Sequence, residues 1–124
     1  MRKGYPPGMS AHTLRPRLRI LHHEAIALGP GKADLMEAIE RAGTLAEAAK
    51  LLDMSYMRAW KLLQTMNACF REPLVATARG GSVHGGAVLT ETGRTVLALY
   101  RRMEEESRRA AEPAWKEMQK LLAE

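Results

Sequence analysis

Between Thr44 and Phe70 the residue types alternate in a way that bears on chemistry. Met57, Arg58, Trp60, Lys61 and Gln64 fall across or beside one face of an expected helix, while Ala59, Leu62, Leu63, Met66 and Phe70 gather on the other at about 100° per residue. Two cations, an amide and large contact surfaces suit a helix in the major groove of DNA, where phosphates and base edges are both in reach. The same pattern fits a solvated amphipathic helix whose Trp60 and Met57 cover a neighbour. The helix alone leaves both readings open.

Catalytic and metal chemistry find few residues to work with. Cys69 is the only cysteine, which rules out an internal disulfide, argues against a cysteine-based zinc site and fits a reducing cytoplasm. His22 and His23 are adjacent, so on a strand they would point to opposite faces and could not share a metal. Gly29-Pro30-Gly31-Lys32 lacks the spaced glycine before it and the Ser or Thr after the lysine that a phosphate loop needs, and reads as a turn into a helix. No carboxylate pair or nucleophile beside a base stands out, so no enzyme is expected.

The whole chain is consistent with a polyanion partner. Its 124 residues allow one small domain with extra length for a tail or association element. Lys and Arg number 19 against 14 Asp and Glu, a net charge of +5, the bias that favours polyanions. Only 5% of residues are aromatic, so stacking platforms for single strands are not expected. No apolar run approaches the ~18 residues that cross a membrane, and the basic start leads into Tyr5-Pro6-Pro7-Gly8 instead of an apolar signal core.

The elements that must position the outward face follow from caps and breakers. Thr44 with Glu47 three positions on forms a capping box and starts a short helix, with Ala48, Ala49 and Leu52 on its inner side. The pattern breaks at Asp53-Met54, where Asp tolerates a left-handed backbone, and Ser55 caps a second helix running to about Ala68. Two helices joined by a tight turn make a helix-turn-helix. Ahead of it, a scaffold helix is expected over about Lys32 to Ala42, with Leu35, Met36, Ile39 and Ala42 on one stripe and Gly43 ending it. A short strand is expected from Arg17 to His22. Residues 1–16 read as a flexible basic arm.

After Phe70, Leu74 to Arg79 and Ala87 to Thr90 read as the strands of a hairpin around the glycine-rich tip Gly80 to Gly86. Such a hairpin after a helix-turn-helix is a wing, placed to meet DNA through Arg79, Ser82 and His84; a connector without contacts is the alternative. Thr90 caps a last helix over 91–124, whose broken apolar stripe from Val96 through Met103, Ala110 and Trp115 to Leu122 is too long for one small domain to cover. A second copy is expected to cover it, and Pro113 is expected to kink or interrupt it. The alternative is that the part beyond Pro113 packs back on its own domain. The fold class is therefore mainly α with a small β hairpin: a winged helix-turn-helix over 17–90 followed by a long dimerisation helix.

Gly43-Thr44, the Ala-Ala-Lys of the first helix, Ser55-Tyr56, Ala59-Trp60, Met66-Asn67, Gly80-Gly81 through Gly85-Gly86-Ala87-Val88-Leu89-Thr90 and Gly93 closely resemble the amino-terminal domain of the molybdate-responsive ModE regulators. The resemblance covers about Leu18 to Met103. Its most specific part is the wing ending in Gly-Gly-Ala-Val-Leu-Thr, since LysR-type regulators share only the general helix-turn-helix and the Leu-Thr-x-x-Gly ending. It implies a dimeric winged-helix DNA-binding domain that represses or activates transcription. It also implies recognition-helix contacts by Tyr56, Met57, Arg58, Trp60 and Lys61, with Arg79 and His84 in the wing.

Thr44, Ser55 and Gln64 are counted with these contacts. Asp53 stands where many relatives have Gly. The chain ends at Glu124, before the molybdate-binding domains of full-length ModE regulators, so no cofactor is expected in it and molybdate sensing by it is in doubt. The expectation is a cytoplasmic, sequence-specific regulator binding double-stranded DNA as a homodimer. A protein-interaction or architectural module working with a separate effector chain is the alternative.

Overall fold

Pro30 sits in the first turn of α1 (Pro30–Ala42), where its missing N–H is one the helix could not have used. Gly43 ends α1 at φ 82, donating its N–H to the Ile39 carbonyl at 2.9 Å. The computed structural model describes residues 11–78 and 86–124, and it starts this helix two residues before the expected Lys32. Ala33, Leu35, Met36, Ala38 and Ile39 are buried, making α1 the centre of the core.

Around α1 lies the helix-turn-helix. α2 (Leu45–Leu51) is capped by Thr44, whose Oγ1 accepts from the Glu47 N–H at 3.1 Å. The reciprocal half of the expected box is not made; the Glu47 carboxylate instead lies 3.5 Å from Lys50. The turn places Asp53 at φ 55, and Ser55 Oγ accepts from the Arg58 N–H at 3.1 Å to start α3 (Tyr56–Cys69). Ala48 and Ala49 of α2 and Ala59 of α3 are almost fully buried, small side chains where the helices cross.

The expected strand from Arg17 contracts to β1 (Ile20–His22), and it has a partner that the alternation did not reveal, β2 (Ala25–Leu28). The connecting turn is His23-Glu24, with His23 at φ 57. This corrects the expected geometry of the two histidines: with His23 in the turn, their rings meet edge to face, centroids 4.5 Å apart. Residues 1–10 lie outside the described residues. Residues 11–19 are alternately exposed and half-buried, and Tyr100 donates its hydroxyl to the Leu18 carbonyl at 2.6 Å. Near the end of the chain, His12 Nε2 donates to the Ala123 carbonyl at 2.9 Å.

The wing is β3 (Val75–Thr77) paired antiparallel with β4 (Ala87–Leu89), Val75 opposite Leu89. Val75, Ala87 and Leu89 face the core and Val88 faces out. Thr90 then caps α4 (Glu91–Gln119), which runs through Pro113 without the expected interruption. Pro113 is exposed, so the carbonyl deprived of its donor lies toward solvent instead of in a packed seam. At 29 residues α4 is about 43 Å long, and Tyr100 is its last buried residue. The architecture is a winged helix-turn-helix extended by one long helix; among the described residues no helix is long and apolar enough to cross a membrane.

Candidate nucleic-acid interface

α3 presents the predicted face. Ala59, Leu63 and Met66 are buried and Leu62 and Phe70 half-buried, while Ser55, Tyr56, Met57, Arg58, Trp60, Lys61 and Gln64 are exposed. Thr44 is half-buried at its cap. The structure therefore brings the seven residues from Ser55 to Gln64 together on one surface, with Thr44 at the start of the neighbouring helix. Arg79, Ser82 and His84, expected in the wing, lie outside the described residues.

α3 and α4 differ in how their cations are held, while elsewhere Arg41 and Arg71, among others, pair with no carboxylate among the described residues. On α4 the guanidinium groups are engaged: Arg101 binds Glu37 at 2.9 Å through two nitrogens and also Asp34 and Glu104, while Arg108 and Arg109 share Glu105. Arg108 and Arg109 hold the Glu105 carboxyl down at about 2, and the Glu37 hydrogen bonds raise Arg101 further above its ordinary range. By contrast, α3 contains no Asp or Glu, and no carboxylate among the described residues pairs with Arg58 or Lys61. Two uncompensated cations on a helix capped at its N-terminus, where the macrodipole is positive, form a local anion-attracting surface.

Three residues that hold this surface in place were not singled out for that role by composition or periodicity. Asn67, on the inner side of α3, accepts at Oδ1 from the N–H groups of Leu74 (2.9 Å) and Val75 (3.2 Å) and donates Nδ2 to the Val75 carbonyl at 3.0 Å. It therefore extends the wing's hydrogen bonding onto α3. Thr90 Oγ1 donates to the Pro73 carbonyl at 2.7 Å while accepting from the Gly93 N–H at 2.9 Å. Gly93 lies so close to β3 that a Cβ there would stand 2.1 Å from the Leu74 carbonyl oxygen. The advance signals were the presence of Asn67 and Gly93 among the residues that carry the family resemblance, the reading of Thr90 as a cap, and an asparagine late in a helix and a glycine early in one, positions where those residues are unfavourable unless used.

On the other side of the wing, the Ala87 N–H donates to the Gly43 carbonyl at 2.9 Å, and Gly86 bridges to Thr44. Ala78 and Gly86 close the wing's base through a 2.8 Å hydrogen bond. The wing thus emerges from a base tied both to α3 and to the α1–α2 junction. Among the described residues, no group of three His, Cys, Asp or Glu is arranged to hold a metal ion.

Comparison with known proteins extends these observations. No family model matches the chain. It is 40% identical over 96 residues to the molybdenum transport protein ModE of Azotobacter vinelandii, covering 77% of this chain and 36% of that protein. It is 37% identical over 92 residues to the molybdenum-pterin-binding protein MopA of Rhodobacter capsulatus, covering 74% and 35%. With the DNA-binding transcriptional dual regulator ModE of Escherichia coli (strain K12) the identity is 37% over 71 residues, covering 57% and 27%. The chain spans about a third of the length of the curated relatives it matches. Among solved structures it superimposes on the CbnR_DBD–DNA complex with a TM-score of 0.57 at 25% identity, covering 71% of this chain and 95% of that one. It also superimposes on CbnR, a LysR family transcriptional regulator, with a TM-score of 0.52 at 26% identity, covering 68% and 27%.

Proposed function

We propose that this chain, homologous to the ModE regulators over its winged helix-turn-helix, binds double-stranded DNA sequence-specifically as a homodimer and regulates transcription. The observation that carries the reading is the exposed face of α3, where Arg58 and Lys61 stand unpaired beside Gln64 on the second helix of the helix-turn-helix. The likeness to a DNA-binding domain solved on DNA supports it. Arg58→Ala and Lys61→Ala should each weaken binding to a duplex selected from a randomised pool, by about 1–3 kcal/mol where the side chain reads a base bidentately. Where the side chain neutralises a phosphate, its removal should also lower the slope of log affinity against log salt by about one. Unchanged affinity in the double variant would remove α3 from the interface.

The homodimer is supported by α4. Leu99, Met103, Met118 and Leu122 are large apolar side chains exposed at 44%, 39%, 57% and 42%. On α4, Met103 and Met118 with Ser107, Ala110, Ala111 and Ala114 form a stripe that is symmetric about the Ala110–Ala111 bond: Met103 mirrors Met118 and Ser107 mirrors Ala114, while Leu122, the counterpart of Leu99 in sequence, lies just past the end of the helix. A two-fold interface requires such self-complementarity, and antiparallel pairing of two α4 helices supplies it, with small residues at the crossing. The same operation sets Glu105 opposite Lys116 and Arg109 opposite Glu112; Glu104, opposite Glu117, is already neutralised by Arg101. At the end of the stripe, Leu99 and Met103 border an apolar groove of about 180 Å³ lined also by Ile20, Leu28, Phe70 and Val96, a seat for the partner's last leucines.

A further inference from the structure

The face of α3 that carries the unpaired cations is not simply polar. Met57 is 57% exposed and Trp60 44%, beside a Tyr56 that is 51% exposed, so the first two turns of the helix hold large apolar surface in water. At about 100° per residue Trp60, Gln64, Met57 and Lys61 follow one another around an arc of about 100° facing away from the buried Ala59, Leu63 and Met66, whereas Arg58 lies to one side, next to Lys61, and Tyr56 to the other. On a helix lying in the major groove, the middle of that arc meets base edges and its sides approach the phosphates. Apolar side chains in the middle have few suitable partners there. The thymine 5-methyl is the one apolar group among the base-edge features of the major groove, and the adenine paired with it offers N6 and N7 to an amide such as Gln64.

We infer that Met57 and Trp60 read thymine methyl groups, so that the half-site places A·T pairs opposite the first turns of α3. The inference rests on the proposed DNA binding and names the bases that this same surface selects. It separates the roles of neighbouring residues: Arg58 and Lys61 set affinity and salt dependence, while Met57, Trp60 and Gln64 set sequence.

The test uses the full chain and the duplex recovered from a randomised pool, alongside a scrambled duplex. Each thymine of the recovered site is replaced in turn by deoxyuridine, which deletes the methyl and leaves the hydrogen-bonding edge intact. Removing one methyl from an apolar interface is expected to weaken binding about fourfold, the worth of one buried methylene. Met57→Ala or Trp60→Ala should bring the thymine-to-uracil ratio at its own position to about one, an effect that general loss of stability would not produce. Equal affinity for thymine and uracil at every position, with the recovered duplex still preferred over the scrambled one, overturns the inference and leaves DNA recognition standing. No preference between the recovered and scrambled duplexes overturns recognition itself, and the inference with it.

Discussion

Replacing Gly93 by alanine tests whether the wing is seated by backbone-to-backbone contact. The new Cβ would stand 2.1 Å from the Leu74 carbonyl oxygen, 2.9 Å from its carbon and 3.2 Å from its Cα. Reaching ordinary contact needs a displacement of more than about 1 Å. Leu74 has nowhere to go: its side chain is fully buried, its N–H is held by Asn67, and its carbonyl accepts from the Thr90 N–H at 2.9 Å. Overpacking of this kind costs about 1–3 kcal/mol, and loosening the Asn67 and Thr90 hydrogen bonds adds about 1 kcal/mol for each one broken. The better helix propensity of alanine returns at most about 1 kcal/mol. A net destabilisation of about 3 kcal/mol should lower Tm by roughly 10–15 °C, read by circular dichroism in thermal unfolding. Gly31→Ala is the matched control, since a Cβ there meets nothing within 4 Å and the position lies in the first turns of α1; it should leave Tm unchanged or raise it slightly. If the two variants unfold within about 2 °C of each other, the close approach of α4 to β3 is not what holds the wing.

Three further outcomes follow from the same geometry. Asn67→Ala should destabilise by about 2 kcal/mol in urea unfolding, because it strips partners from two part-buried N–H groups and a carbonyl; Asn67→Asp, which keeps the acceptor but faces the Val75 carbonyl without a donor, should fall between Asn67→Ala and the parent. Asp53→Gly should be neutral or stabilising by up to about 1 kcal/mol, and Asp53→Ala destabilising by a similar amount, since φ is 55 there; equal Tm values for the two would show that the left-handed turn is not populated in solution. With Cys69 replaced by serine, oxidation of a mixture of Met103→Cys and Met118→Cys chains should yield mixed disulfide dimers in preference to dimers of either variant alone. The reverse preference would mean parallel helices, and no dimer in sedimentation would mean that α4 stays uncovered.

The helix-turn-helix was legible because its signals are local. Thr44 and Ser55 are caps that act on N–H groups three residues away, Asp53 tolerates the backbone its turn demands, and the apolar spacing of Ala59, Leu63 and Met66 is the helix period itself. The wing strands and the start of α4 were read for the same reason, from glycines, a proline and Thr90. What escaped depends on distant partners. β2 is a strand because Ala27 and Leu28 are buried against the helices and pair with β1, and Ala25-Ile26-Ala27-Leu28 has no alternation to announce it. His22 and His23 were misplaced because a left-handed histidine is uncommon and the hairpin turn was not foreseen. Pro113 breaks a rule about isolated helices, but its exposed position lets solvent serve the orphaned carbonyl, so α4 continues. The exposed α3 face was predicted residue by residue; its supporting frame was not, since Asn67 and Gly93 acquire their roles only when β3 folds back over α3 and α4.

That frame bears on how sequence recognition would be achieved. Side chains on α3 can discriminate bases only if the helix enters the groove at a fixed depth and angle, and an error near an ångström is enough to miss a methyl group or a bidentate amide geometry. Here β3 is bound to α3 through Asn67, β4 to the α1–α2 junction through Gly43, and α4 to β3 through Thr90 and the close approach at Gly93. A wing resting on DNA would therefore set the pose of α3 through backbone contact and through the short, hydrogen-bonded side chains of Asn67 and Thr90. Asn67→Ala offers a way to separate support from direct reading. It touches none of the proposed base-reading groups, so in the folded variant at low temperature the thymine-to-uracil ratio at the Met57 and Trp60 positions should decline toward one while the salt slope set by Arg58 and Lys61 is retained. A ratio unchanged from the parent would show that α3 holds its pose without the wing, leaving the three-way frame to stability alone.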